Sequence, residues 1–418
     1  MKNKFIVVYE GKDWINVSDD IENGLTEIQY NDLQEYLLLK YGNLEMLYIK
    51  PKKIMIVNMV GFIKLSSIYI EILPKISISN NIQNSRLRLI EMLTKCKKIP
   101  IIYDFIQQEN INRISIIEYI QMIFLDELGI QMNKGIYKEY VRNLENCSTV
   151  KGKICIGKHI NYNYFNKDKV FCEFDDFIED NNLNRILKAA ILKILTSNYN
   201  INSMKLNRFL FYFSGVSNEK NIDNILHTIK LNRQNQRYEK SLLLAKLILD
   251  NSISKNNIGK QDGFSMLFEI NKLFEEYIGI LCKSLSFKNR IKCFLQDKRN
   301  YLLKNKDRKY INLKPDIVFE KEEKILIIDT KWKAIINHER LNYNISDIYQ
   351  MYAYVTRYEN AIKCILLYPK ININFNNEEY NLFEPHINSI ELRDVRLDKE
   401  KNTIDDLTEI ILENFNSI

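Results

Sequence analysis

Apolar positions through the first 80 residues either alternate with polar ones or run unbroken. "FIVVYE", "KKIMIVNMVGFIKL" and "IYIEILPKISI" are rich in Ile, Val and Tyr, with Gly11, Gly42 and Gly61 as punctuation, so strands are predicted there. Between them, "TEIQYNDLQEYLLLKYG" has helical spacing and ends at Gly42, which reads as a C-cap. From about residue 85 the period lengthens. "SRLRLIEMLTKCKKI", "ISIIEYIQMIFLDELGIQMNKGIYKEYV" and "NLNRILKAAILKILTSN" carry apolar residues at i, i+3, i+4 and i+7, predicting a mainly helical middle. A β-like segment, "VKGKICIGKHI", interrupts it.

The polar, Gly-bearing string "DNSISKNNIGKQDG" at 250–263 marks a boundary. Beyond it, "FSMLFEINKLFEEYIGILCKSL" reads as an amphipathic helix and "IKCFLQ", "PDIVFE" and "KILIIDTKW" as strands. "SDIYQMYAYVTRYE" is a helix with its N-cap at Ser346 or Asp347, and "AIKCILLYP" is a strand stopped by Pro369. The expectation is an α/β multidomain chain: a β-rich domain at 1–84, a mainly helical region at 85–255, and an α/β domain at 256–418.

Composition narrows the function classes only modestly. The chain has 418 residues and a net charge of +7, which permits a nucleic-acid partner without demanding one. The basic residues do not gather into one stripe along the sequence. Seven cysteines, with no C-x-x-C pair, point to free thiols in a reducing compartment rather than a zinc ribbon or disulfide framework. The N-terminal apolar run is too short for a secretory core, and no window approaches a membrane span, so a cytoplasmic protein is expected. The histidines at 159, 227, 338 and 386 have no zinc-binding spacing. "GKICIGKH" ends in His159 where a phosphate-binding loop needs Ser or Thr, and its centre reads as a strand, so nucleotide binding is rejected.

The chemistry concentrates in "PDIVFEKEEKILIIDTK". Read as a hairpin with a loop at Lys321–Lys324, it pairs Glu320 with Ile325 and Val318 with Ile327, and sets Asp316 opposite Asp329. Directly opposed residues share a face, and alternation puts Lys331 there too. Opposed carboxylates repel unless a cation lies between them. Mg²⁺ suits the position, since it is commonly held by one or two carboxylates and several waters. Such an ion polarises a phosphodiester and helps make hydroxide, while Lys331 orients the water or stabilises developing charge. The plainer alternative is that Asp329 and Lys331 mark the solvated end of a strand.

The spacing Pro315-Asp316, twelve residues, then Asp329-Thr330-Lys331 is the PD-(D/E)-x-K nuclease pattern. Together with "INKLFEEYI", "SDIYQMYAYVTRY", "VGFIKLSSIYIEILPKI" and "NRILKAAILKIL", it closely resembles the McrC family, nuclease subunits of McrBC modification-dependent restriction systems. That resemblance implies a restriction-endonuclease-like core of order α-β-β-β-α-β in the last domain. It implies Asp316 and Asp329 as metal ligands and Lys331 as the catalytic lysine. Glu275 in "LFEEYI" resembles the acidic helix residue that many such nucleases add to the metal site, although a solvated helix charge is the competing reading and Glu276 stands beside it. Gln350 and Tyr354 form the Q-x-x-x-Y seen in RecB-like nucleases, at i and i+4 on one helix face. They contact DNA or brace the lysine in this reading, or simply pack. Lys333 is a further phosphate contact or a solvated strand end.

The function implied is a Mg²⁺-dependent endonuclease subunit that cuts double-stranded DNA when docked, through its N-terminal region, on a AAA+ ring that binds and hydrolyses GTP. Stimulation of that GTPase is part of the same expectation. Two rivals remain: a stand-alone RecB-like repair nuclease, and a catalytically silent adaptor of a AAA+ motor.

Overall fold

In the computed structural model, which describes residues 4–18, 24–41, 46–65, 68–76, 81–99, 115–165, 167–196, 203–219, 221–226, 228–249, 264–306, 308–333, 336–337, 340–341, 343–371 and 375–415, short strands open the chain. They are β1 (Lys4–Tyr9), β2 (Ile15–Asn16), β3 (Leu47–Lys50), β4 (Lys53–Ile56), β5 (Met59–Lys64) and β6 (Ile68–Leu73). β1 runs parallel to β6 and β5 antiparallel to it, while β2, β4 and β3 form a separate sheet. The Glu27–Tyr41 helix joins their core through Leu33 and Leu37, which meet Ile6, Ile54, Ile63 and Ile70. Each such side chain contributes about 1.5–3 kcal/mol by leaving water. The predicted C-cap Gly42 lies outside the described residues.

Two compact units divide the chain: Met1–Ile116 together with Lys260–Ile418, and Ile117–Gly259 between them. The polar string 250–263 lies outside the described residues.

The second unit is less helical than its periodicity suggests. Its helices include Asn182–Thr196, Ser203–Tyr212 and Glu239–Leu249, but β7 (Glu139–Cys147), β8 (Lys153–Ile154) and β9 (Val170–Ile178) form an antiparallel sheet in the order β7-β9-β8. Polar residues dominate "EYVRNLENC", so β7 lacks the β-branched signature that announces a strand. "GKICIGKH" splits between β8 and a helix at Ile156–Asn163, which takes Gly157, Lys158 and His159 into helical geometry rather than a loop.

The chain returns to the first unit with β10 (Phe264–Glu269), which pairs antiparallel with β5. The sequence had these residues as the first turns of a helix. A six-residue apolar run satisfies either period, and an available sheet edge decides it. Gly61 makes this pairing possible. It sits at φ +132° opposite Leu267, and a Cβ there would lie 1.9 Å from the Met266 carbonyl oxygen. The helix proper runs Ile270–Lys288.

A six-stranded mixed sheet follows in the order β11-β14-β15-β18-β20-β19, built from β11 (Lys292–Leu295), β14 (Ile317–Lys321), β15 (Lys324–Thr330), β18 (Ala361–Pro369), β19 (Glu378–Asn381) and β20 (Ser389–Val395). Two ribbons lie outside it, β12 (Tyr301–Asn305) with β13 (Arg308–Asn312), and β16 (Ile336–Asn337) with β17 (Arg340–Leu341). The central strands β15, β18 and β20 are parallel; β15 and β18 carry unbroken apolar runs, as strands buried on both faces do, while β20 alternates Ile390, Leu392 and Val395 with buried polar residues. The Ile345–Arg357 helix lays Met351, Tyr354 and Val355, at i, i+3 and i+4, over Val318, Ile327, Cys364 and Leu366. β19, β20 and the last helix, Glu400–Phe415, extend the fold beyond the elements predicted.

Candidate active site

The hairpin register sets up the site. β14 and β15 pair Ile317 with Ile328, Val318 with Ile327 and Glu320 with Ile325, so Asp316 and Asp329 face each other one step further on. The loop is tighter than expected. Lys321 pairs with Lys324, leaving a two-residue turn of Glu322 and Glu323, both at positive φ. Positive φ at both central residues is the geometry that matches the twist of a hairpin.

Asp316 is fixed by its neighbours rather than by solvent. Its Oδ2 accepts from the Thr330 backbone N–H and from Thr330 Oγ1, both at 2.8 Å, and its Oδ1 accepts from Gln296 Nε2 at 3.0 Å. The same Gln296 amide donates to Glu275 Oε1, so one neutral side chain bridges two acids. Asp329 is 2% exposed, and its Oδ2 lies 2.7 Å from Lys331 Nζ. This contact is an ion pair off hydrogen-bonding geometry, since Oδ2 is otherwise a buried atom with no hydrogen-bond partner. Lys331 Nζ also donates to Gln350 Oε1 at 3.3 Å, and Gln350 Nε2 donates to Tyr354 Oη at 2.7 Å. The Q-x-x-x-Y pair thus braces the lysine from the helix that covers the sheet.

The electrostatics follow from crowding. Burial first, then the charge of Asp316, pushes the Asp329 carboxyl up to about 7. Burial and Asp316 again, with a smaller push from Asp329, raise Glu275 to about 7. Burial works to lower the Lys331 ammonium, but Asp329, Asp347 and Asp316 outweigh it and leave its pKa raised. Burial likewise raises the Tyr354 hydroxyl.

Sequence reasoning missed three members of the cluster. Thr330 sits inside the D-T-K motif, where its hydroxyl was the available signal. Gln296 closes a strand end at φ +50° and belongs to no motif. Asp347 reads as an N-cap in the sequence, yet Asn344 takes that role by accepting from the Ser346 N–H. Asp347 instead accepts from Lys333 Nζ at 2.8 Å and lies 3.9 Å from Lys331 Nζ. Lys333 is therefore an ion-pair partner at this end of the sheet.

One further contact ties the N-terminal strands to the site. Trp332, next to Lys331, donates from Nε1 to Glu10 Oε1 at 2.7 Å, and Glu10 Oε2 accepts from the Asn58 N–H at 3.2 Å. Asn58, at φ +58°, in turn accepts from the Ile270 and Asn271 N–H groups at the start of the helix that carries Glu275. Trp332 packs edge-on against Phe274 of that helix, with ring centroids 5.3 Å apart.

Among the described residues, no three His, Cys, Asp or Glu groups converge as a ready-made metal cage. The oxygen donors here suit a different arrangement. Asp316 and Asp329 are opposed carboxylates, and burial together with the Asp316 charge raises the Asp329 and Glu275 carboxyls. That set fits a hard cation that takes one or two carboxylates and fills its remaining positions with water.

The family model described as "McrBC 5-methylcytosine restriction system component" matches residues 54–369. A chain of the "Refined half-complex from tetradecameric assembly of Thermococcus gammatolerans McrB AAA+ hexamers with bound McrC" has the same fold. Its TM-score is 0.77 at 19% identity, over 98% of this chain and 99% of that one. A chain of the Thermococcus gammatolerans McrBC complex matches at TM-score 0.55 and 21% identity, over 67% of this chain and 88% of that one. Comparison with the curated proteins returns no match. Since the family model spans well over half of the 418 residues, the chain belongs to the McrBC 5-methylcytosine restriction system component family.

Proposed function

We propose that this chain is the Mg²⁺-dependent DNA endonuclease subunit of an McrBC-type restriction system, with a PD-(D/E)-x-K core, cutting phosphodiester bonds when docked on a GTP-hydrolysing AAA+ ring. The observation that carries the reading is Asp316 facing Asp329 with Lys331 2.7 Å from Asp329, at the end of a buried hairpin. A solvated strand end would leave these groups dispersed. Here burial keeps them together at an electrostatic cost, an arrangement that clusters at functional sites.

Asp316 and Asp329 are the residues that would hold the cation, with Glu275 beyond the Gln296 amide. When bound, the cation supplies Lewis acidity toward a phosphate oxygen and lowers the pKa of coordinated water. This chain's residues do the rest. Thr330 and Gln296 hold Asp316 with its oxygens aimed. Lys331, braced by Gln350 and Tyr354, offers an ammonium to charge developing on the phosphate, or orients the attacking water. Burial keeps both interactions in a low-dielectric setting, where they are worth more than in water.

The AAA+ partner is drawn from family membership and from the McrB hexamers with bound McrC named for the similar structure. No helix among the described residues is long and apolar enough to cross a membrane, which is compatible with such an assembly. Plasmid cleavage by the full chain with Mg²⁺, its cognate AAA+ GTPase and GTP tests the reading. Cutting that Lys331→Ala abolishes is the expected result, and no cutting under any combination would refute it.

A further inference from the structure

We infer that the β12–β13 ribbon is a DNA-gripping arm that holds the duplex backbone beside the cut. This rests on reading the site as one that cuts DNA. Residues 298–314 carry seven Lys and Arg against the single Asp307, a net of +6 in a chain whose total is +7. No stripe is visible along the sequence because these cations are interspersed with Asn, Leu and Tyr. Folding sets Lys304, Arg308 and Lys309 on the two strands and Lys306 at the turn between them.

The described ribbon residues from Leu302 to Asn312 are exposed. Lys304 and Lys309 are cross-strand partners, and like charges directly opposed destabilise a ribbon. Lys304, Lys306, Arg308 and Lys309 form no ion pair with any described residue. Arg299, at the base, differs: it is committed to Asp297 and Glu320 and stacks on the Phe294 ring. Cations with no salt bridge to any described residue therefore lie along the ribbon, Lys309 resting over the Tyr301 ring, and ion-paired Arg299 lies at its root. This distribution suits an anionic partner rather than internal stability.

The root leads into the site. β11–β14 pairing continues past Leu295 and Ile317 through Gln296 N to the Asp316 carbonyl at 2.8 Å, and Asp297 N to the Pro315 carbonyl at 3.2 Å. Leu313 N then donates to the Asn300 carbonyl at 2.9 Å, and the ribbon proper begins with Tyr301 and Asn312. Arg357 Nε, on the helix that carries Gln350 and Tyr354, donates to the Tyr301 carbonyl at 2.9 Å. A phosphodiester seated at Asp316 thus has its flanking duplex beside the arm. Five-residue strands reach about 17 Å, and a two-stranded ribbon fits a B-DNA major groove of about 12 Å. Exposed Leu303 and Tyr310 on one face supply apolar contact to sugars or thymine methyls.

The test is binding of the full chain to a labelled duplex in EDTA, where no cutting competes, across a series of salt concentrations. Wild type, Lys304→Ala/Lys306→Ala/Lys309→Ala and the matching triple Lys→Arg variant are compared, each with a melting curve to confirm folding. The triple Ala variant is expected to bind about 10-fold or more weaker at low salt, with a log–log salt slope shallower by up to about 0.9 per cation removed. The Arg variant is expected to bind as wild type does. Triple Ala binding with the wild-type affinity and slope overturns the proposal, as does a wild type that binds no duplex. Loss of AAA+ ring association with DNA binding intact would also overturn it, and assign the arm to an acidic protein surface. Wild type that binds through the ribbon yet never cuts with Mg²⁺ and partner leaves the arm standing and sinks the nuclease reading alone.

Discussion

At the scale of single residues, the site is a set of acids held closer than they would choose. Asp329 and Glu275 are each raised to about 7, by burial and by Asp316, so the native state binds more protons than the unfolded chain between about pH 4 and 7. Stability in EDTA therefore falls as pH rises through that window. The melting temperature should drop by several degrees, Mg²⁺ should restore it at pH 8, and Asp329→Asn should flatten the profile. A profile that rises over this range would contradict the crowding argument. Gln296 supports the same acids through one amide. Gln296→Ala is expected to weaken Mg²⁺ binding, followed by calorimetry, by about 10–100-fold, as loss of an orienting partner does at metal sites. The acids and the lysine were legible in the sequence because alternation and a hairpin fix their face. Gln296 was not, since its role exists only once β11 pairs with β14.

Among elements, local pattern succeeded where one period dominated and failed where a short apolar run allowed two. The Ile345–Arg357 helix and β18 sit where their spacing put them. "FSMLFE" became β10 because β5 offered an edge, a tertiary fact with no local signature. The predicted register survived even though the turn has two residues rather than four, because the apolar pairs Ile317–Ile328, Val318–Ile327 and Phe319–Leu326 decide it. One inter-element contact is open to measurement. Trp332 Nε1 donates to the half-buried Glu10 carboxylate, whose pKa burial raises. Trp332→Phe should cost about 1 kcal/mol in urea unfolding, the net worth of such a hydrogen bond. Glu10→Ala in the same background should cost less than it does alone. Strict additivity would show that the pair is not coupled.

For the whole molecule, the unexpected feature is that the first 116 residues and the last 159 form one compact unit. β10 closes the N-terminal sheet, and Asn58 and Glu10 reach the helix and strand that carry Glu275 and Lys331. Sequence order says nothing of which edges meet. The Glu10 and Asn58 contacts give the N-terminal strands a physical route to the candidate site. The most direct test of the central claim is cleavage of plasmid DNA by the full chain with Mg²⁺, with and without its cognate AAA+ GTPase and GTP, for wild type, Asp329→Ala and Lys331→Ala. The account predicts cutting that requires partner and GTP and falls by at least about 100-fold in both variants, as removal of a charge-stabilising group does. Variants that cut as well as wild type would contradict it, and the facing acids and their lysine would then be a feature of the fold alone.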